Sequence, residues 1–360
     1  MERWHRKRLA LLRRRVISAG ADALLVTHPP NIFYLSGFSG SAGAFLVEPG
    51  RVTLFTDGRY ALQARREAPG VRVRISRGPL LAAVGELLRE RGKAQVAFEP
   101  VRLSVAQDRE LRRAAGAKIR WLTVGNAVEE MRARKGPEEL AQMQRAARLG
   151  SEVFAEVLPQ VKPGVREWEL AAEIEYRMRR KGASGAAFET LVAFGTRTAL
   201  PHARPTGKRL RKNELVVLDL GAILGHYCCD LTRTVYVGRA PSQVRRWHQA
   251  VGEAQAAARD TLRAGVTAGD VDAAARRVLK GFRLERHFVH STGHGLGLEV
   301  HEEPRLASGQ TRLIQAGNVV TLEPGIYVEG AGGIRIEDDV AVLANRTEVL
   351  TSAPREFLEL

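Results

Sequence analysis

Acidic side chains interrupt apolar, strand-forming runs in the C-terminal half of this chain, so a fold that buries those strands must also reconcile their charges. Val216-Val217-Leu218-Asp219-Leu220-Gly221 reads as one strand and residues 227–237 as another, with Gly225 near the turn between them. With Leu224-Gly225 as a two-residue hairpin turn, Asp219 and Asp230 stand directly opposite each other on one face. On a solvated surface such a pair needs no explanation. The apolar flanks Val216, Val217, Leu218 and Val235 favour burial instead. Two buried carboxylates repel unless something positive, most simply a metal ion, offsets them.

A second cluster lies in residues 290–301, where His290, His294 and His301 are three of the nine histidines in the chain. Each alone reads as a satisfied core histidine; together they are a dense set of ligand or acid–base groups. Gly293, Gly295 and Gly297 lack the strand, glycine loop and helix order of a nucleotide site, and read as places where backbone approaches closely. The third cluster joins Thr321-Leu322-Glu323-Pro324-Gly325 to Gly333-Ile334-Arg335-Ile336-Glu337-Asp338-Asp339. Strand alternation puts Arg335, Glu337 and Asp339 on one face. A plain reading makes Arg335 and Glu337 a surface pair; a functional one makes Glu337 a ligand bridging two ions and Arg335 the cation that keeps carboxylates ionised. Four carboxylates and one imidazole form a hard donor set for two divalent ions, and the lack of thiolates points to manganese over structural zinc. Two ions about 4 Å apart polarise a carbonyl and activate a bridging water, which defines metal-assisted amide hydrolysis.

Ahead of these clusters the pattern is mixed. A helix over 4–19, strands over 23–27, 43–48, 52–56, 71–75 and 94–98, and helices over 58–68 and 79–91 make an α/β domain. His28-Pro29-Pro30 halts the first strand. Lys135-Gly136-Pro137-Glu138-Glu139 then opens a helix whose stripe of Leu140, Met143, Ala147, Gly150, Phe154 and Val157 is spaced for burial. Further helices are expected over 166–181, 242–263 and 268–280. The division falls near residue 130, giving domains 1–130 and 131–360.

The net charge of +16 raises nucleic acid as a partner. Residues 1–136 carry 26 basic against 12 acidic residues, leaving 30 against 28 in 137–360. No basic groove with interleaved aromatics accompanies runs such as Arg13-Arg14-Arg15, so the excess reads as a solvated, Arg-rich surface and not a specific nucleic-acid site. The basic N-terminus lacks the apolar core of a signal peptide, and no apolar run approaches about 18 residues. With Cys228 and Cys229 adjacent and unable to bridge easily, the expectation is a cytoplasmic protein with no membrane partner.

Taken together, Leu218-Asp219-Leu220-Gly221-Ala222, Cys229-Asp230-Leu231-Thr232-Arg233-Thr234, the 290–301 stretch, Leu322-Glu323-Pro324-Gly325 and Arg335-Ile336-Glu337-Asp338 resemble the proline-directed members of the methionyl aminopeptidase-like metallopeptidases, Xaa-Pro aminopeptidase and Xaa-Pro dipeptidase (prolidase). The Thr27 to Tyr60 region, with Pro29-Pro30-Asn31-Ile32 and Phe55-Thr56-Asp57-Gly58-Arg59-Tyr60, resembles their creatinase-type N-terminal domain. The resemblance implies an α/β (α+β) chain in which that domain precedes a "pita-bread" catalytic domain. It implies two divalent metal ions, most simply Mn2+ with Co2+ or Zn2+ as substitutes. Asp219 would hold one ion, Asp230 and Glu337 would bridge both, and His294 and Glu323 would complete the set. Glu323 would also assist deprotonation of the bridging water. His202 matches a substrate-pocket histidine, His290 and His301 match those that bind substrate and stabilise the tetrahedral intermediate, and Arg335 matches an arginine beside the metals.

The implied reaction is hydrolysis of the N-terminal Xaa-Pro bond by a metal-bridging hydroxide, on peptides with proline second, in a homodimer. A prolidase, limited to dipeptides, is the alternative within enzymes. From another class, the same fold could serve as a catalytically silent binding protein. Phe194 and Ala203-Arg204 depart from the commoner pattern at positions expected near the substrate pocket.

Overall fold

Alternating apolar strands and amphipathic helices in the first third of the chain build one six-stranded sheet. The computed structural model describes residues 3–92 and 94–360 and divides into two units, Met1–Arg132 and Ala133–Leu360. In the first unit the order is α1 (Arg3–Ser18), β1 (Ala23–Val26), α2 (Pro29–Ser36), β2 (Ala44–Val47), β3 (Val52–Asp57), α3 (Ala61–Glu67), β4 (Arg72–Ser76), α4 (Leu80–Arg91), β5 (Ala94–Phe98), α5 (Val105–Ala115), β6 (Ile119–Thr123) and α6 (Glu129–Arg132). The sheet order is β4-β3-β2-β1-β5-β6, antiparallel within β1-β2-β3 and parallel at both flanks. Leu25, Leu46 and Phe55 of the strands pack with Val84, Leu88 and Leu111 of the helices. Pro29 and Pro30 do more than halt β1. They occupy the first turn of α2, where a missing N–H costs nothing. Along α1, Leu9, Leu12 and Val16 face inward, while Arg14 and Arg15 stay exposed.

The second unit opens with α7 (Pro137–Val157) and α8 (Glu167–Arg180), followed by β7 (Gly185–Ala186), β8 (Leu191–Phe194), β9 (Glu214–Leu220), β10 (Ala222–Leu224), β11 (Tyr227–Cys228) and β12 (Leu231–Val237). Next come α9 (Ser242–Thr261), α10 (Ala268–Gly281), β13 (Gly293–Gly295), β14 (Glu302–Leu306), β15 (Val319–Leu322), β16 (Gly325–Val328), β17 (Gly332–Arg335), β18 (Asp338–Val342) and β19 (Thr347–Val349). The stripe on α7 is buried at Met143, Ala147, Phe154 and Val157, against Leu218, Leu220 and Leu231 of the strands. A second cluster joins Val251 and Val271 of α9 and α10 to Leu322, Ile334 and Val340. The acid-bearing strands therefore have both apolar clusters to anchor them. No helix among the described residues is long and apolar enough to cross a membrane.

The hairpin that carries Asp219 differs from expectation in register. Its turn is Gly225-His226, with φ of 56° and 72°, because a type I′ turn needs both central residues left-handed. Leu224 thus pairs with Tyr227, and Asp219 stands opposite Thr232, not Asp230. The offset is two residues, so both acids keep their face. Nor are residues 227–237 one strand. They break at Cys229-Asp230, where the hairpin passes from the β11-β10-β7 sheet to the β12-β9-β8 sheet. Gly221 sits at that break because a Cβ there would collide with the carbonyl oxygen of Cys229 and the ring of Phe188.

Candidate active site

Each acidic side chain is delivered by a strand end. Asp219 is the penultimate residue of β9, Asp230 immediately precedes β12, Glu323 follows β15, and Glu337 lies in the link between β17 and β18. His294 is the central residue of β13. Pairing of β9 with β12 and of β15 with both β13 and β18 gathers these ends together. Ligand atoms of Asp230, His294 and Glu337 all lie within 4.8 Å of one another. His294 Nε2 is 3.3 Å from Glu323 Oε1 and 3.8 Å from Asp230 Oδ2. Its other nitrogen, Nδ1, is 3.0 Å from the carbonyl of Gly295, which requires Nδ1 to carry the proton and leaves a lone pair on Nε2 facing the acids.

Asp219 enters the cluster through Arg335. One guanidinium nitrogen donates to Asp219 Oδ2, and Nε donates to Thr232 Oγ1 at 3.0 Å. Thr232 in turn donates to Glu337 Oε2 at 2.5 Å. The other carboxylate oxygen of Asp219, Oδ1, is buried and meets no hydrogen-bond donor among the described residues. Such an acceptor is costly unless something else ligates it.

The electrostatics point the same way. Burial first, then the charges of Glu337 and Asp219, hold the Asp230 carboxyl well above its usual range. Glu337 is raised likewise by burial and by Glu323 and Asp219. Burial pushes Glu323 up to about 7 despite Arg335, and raises Asp219 against the same arginine. His294 is lowered by burial and stays neutral. Hard oxygen donors that repel one another, an orphaned buried oxygen and a neutral imidazole fit divalent cations.

The remaining expected residues surround this cluster. Arg335 Nη1 donates to Tyr327 Oη at 2.8 Å, and that hydroxyl is 2.8 Å from His290 Nε2. Since His290 Nδ1 donates to the Ser291 carbonyl at 2.8 Å, the Tyr327 O–H donates to Nε2. His290 is neutral, lowered to about 4 by burial and then by Arg335, and its ring is 4.0 Å from Glu323. The His301 ring lies edge-on to that of His294, with centroids 4.4 Å apart. His202 is exposed, and its influence reaches Asp219, Glu323, His290 and His301. The residue before it, Pro201, accepts from Arg335 Nη1 at 3.1 Å.

Several contributors were not singled out in the sequence. Thr232 and Thr321 recur two residues from Asp230 and Glu323, a spacing that marks the same strand face. Thr321 Oγ1 accepts from His294 N at 3.0 Å. Tyr327 reaches the site by hairpin pairing of β16 with β17, which no local pattern reveals. Behind Glu337, Arg233 donates to its carbonyl and to Asp338 Oδ1, the latter at 2.7 Å. Asp339 Oδ2 accepts from Asp230 N at 3.0 Å. The Phe194 side chain is fully buried in the core cluster that includes residues of α7 and α8, and its backbone opens the loop that carries His202.

With this geometry in place the chain was compared with known proteins. Residues 141–344 match metallopeptidase family M24, and residues 8–134 match the creatinase/prolidase N-terminal domain. The chain belongs to metallopeptidase family M24. It is 32% identical to the Xaa-Pro dipeptidase of Pyrococcus furiosus over 94% of this chain and 95% of that protein. Among solved structures, an Xaa-Pro dipeptidase from Bacillus anthracis is similar with a TM-score of 0.94 and 34% identity, over 99% of this chain and 100% of that one. An X-Pro aminopeptidase from Thermotoga maritima has a TM-score of 0.89 and 35% identity, over 96% and 100%. The chain is thus a hydrolase of the Xaa-Pro aminopeptidase and prolidase group, with a creatinase-type domain ahead of a pita-bread domain. Membership in this family implies divalent metal ions, in keeping with the Asp230, His294 and Glu337 group.

Proposed function

We propose that this chain is an Xaa-Pro aminopeptidase, cutting the bond between the first residue and a proline at the second position. The observation that carries the reading is the convergence of Asp230, His294 and Glu337 beside the Arg335-bound Asp219, whose Oδ1 has no donor among the described residues. Asp219, Asp230, His294, Glu323 and Glu337 would hold two divalent cations, and the hard donor set favours Mn2+. When bound, the ions supply carbonyl polarisation and a nucleophilic water at neutral pH.

The chain's own groups do the rest. Glu323, placed beside His294 and His290, would take a proton from the attacking water and return it to the leaving amine. His301, beside His294, donates to the oxygen that gains charge in the transition state. His290, held neutral in one tautomer by Tyr327 and Ser291, orients the substrate. His202, exposed on the loop after β8, would contact it as well. Arg335 keeps Asp219 ionised. A proline amide has no N–H and a restrained geometry, which suits a dedicated enzyme.

Relatives named dipeptidase at 32% and 34% identity favour the second reading, a prolidase. The assignment carries with it a homodimer, a cytoplasmic setting in keeping with Cys228 and Cys229 not being joined in a disulfide, residues 1–130 as the accessory domain and 131–360 as the catalytic one. Metal-stripped protein with and without Mn2+ should be offered a matched Xaa-Pro dipeptide and Xaa-Pro-Yaa tripeptide, with Asp230→Ala as control. Metal-dependent tripeptide cleavage supports the aminopeptidase, dipeptide cleavage alone makes it a prolidase, and no cleavage of either leaves a silent binding protein.

A further inference from the structure

Glu167, the first residue of α8, is completely buried, and its carboxylate is surrounded by donors from one loop. Oε1 accepts from Phe194 N at 2.9 Å and from Arg197 Nε at 3.0 Å. Oε2 accepts from Thr206 N at 2.8 Å and from Thr206 Oγ1 at 2.6 Å. Phe194 is where the chain leaves β8, and Thr206 is where it returns toward α8. A single carboxylate therefore pins both stems of segment 195–205. Within it, Arg197 reaches across with Nη2 to the Arg204 carbonyl at 2.7 Å, closing the loop on itself.

The far side of the same loop faces the site. Thr198 Oγ1 accepts from Gly333 N at 2.8 Å, and the Pro201 carbonyl accepts from Arg335. His202 follows directly. Charge-assisted bonds of this kind are stronger than neutral ones, and a carboxylate with no access to water has no substitute for them. Among the described residues, the carboxylate of Glu167 hydrogen-bonds to Phe194, Arg197 and Thr206, which belong to this loop and its stems and not to the expected metal ligands.

We propose that Glu167 is a positioning residue for substrate specificity: it fixes the 195–205 loop, and so holds His202 at the height where it meets the bound peptide. The inference rests on the proposed peptidase reading. Glu167→Gln keeps the shape but turns one acceptor into a donor that opposes Arg197 and Thr206. Its KM for an Xaa-Pro-Yaa tripeptide should rise by about tenfold with kcat within about twofold, because uniform binding is lost while the ligand set is intact. Bound Mn2+ per chain should not change. Amide hydrogen exchange should quicken in 195–206 and nowhere else. Thr206→Val removes one donor and should move KM and exchange the same way by less, which keeps the test open should Glu167→Gln not fold.

Unchanged KM with unchanged exchange in both variants overturns the inference, as does a fall in kcat that tracks lost metal. If the parent protein cuts no Xaa-Pro peptide, the peptidase reading fails on its own, and the exchange pattern alone then decides whether Glu167 secures the loop.

Discussion

Arg335 binds Asp219 through Oδ2, leaving Oδ1 buried without a donor among the described residues. One ion pair therefore settles half of a carboxylate and leaves the other half for a cation. Removing the arginine strands a buried negative charge, at about 3–5 kcal/mol. Arg335→Ala should lose roughly that much stability in chelator, and clearly less with Mn2+ present, since the metal replaces part of the lost positive charge. Denaturant titrations under both conditions check this; equal losses would mean that no cation reaches Oδ1.

Stability should depend on pH differently with and without metal. Glu323 has a folded-state value of about 7 against 4.5 ordinarily, and Asp230 and Glu337 are raised too. A carboxyl raised in the folded state stabilises fully below its unfolded value, and that contribution is lost as pH rises through the folded one. Metal-free protein should thus weaken between about pH 4.5 and 7, and the increase in Tm on adding Mn2+ should grow across that window as binding releases protons. A metal-induced shift independent of pH would contradict the coupling.

Tyr327 links Arg335 to His290 by two hydrogen bonds. Tyr327→Phe should lower kcat/KM by about tenfold while costing about 1–2 kcal/mol, the loss of one buried hydroxyl's bonds. Mn2+ content should be unaffected. Activity equal to the parent's would remove the hydroxyl from any role in orienting His290.

His301 meets the cluster edge-on at the His294 ring. His301→Ala should therefore retain metal yet lose about a hundredfold in kcat, the scale of one transition-state donor. Metal analysis beside single-turnover rates separates this from a collapsed site.

Legibility followed spacing. Acids in apolar strands, and histidines crowded into twelve residues, were readable because burial conflicts with charge and because strand alternation is local. The α7 stripe was readable for the same reason. What could not be read was pairing between distant segments: Tyr327 arrives through β16 and β17, and Arg233 through its grip on Asp338. The Gly225-His226 turn escaped because a left-handed histidine carries no distinctive sequence mark, so the register was placed two residues away. Burial of Phe194 was equally out of reach, because burial of a strand end depends on the helices covering it.

Gly221→Ala is expected to destabilise the fold by about 1–3 kcal/mol, because the clash is partly with backbone and cannot be relieved by a rotamer change. Thermal unfolding would show it.

The two-residue tip at Gly225-His226 acts as a counter for everything downstream. Adding or deleting a single residue there would turn Asp230 and the whole of β12 to the opposite side of the sheet, whereas a change of two would slide them and preserve their facing. The tip is solvent-facing and looks like a natural place for a tag or a graft. Parity, not size, decides which insertions this enzyme could survive at that point.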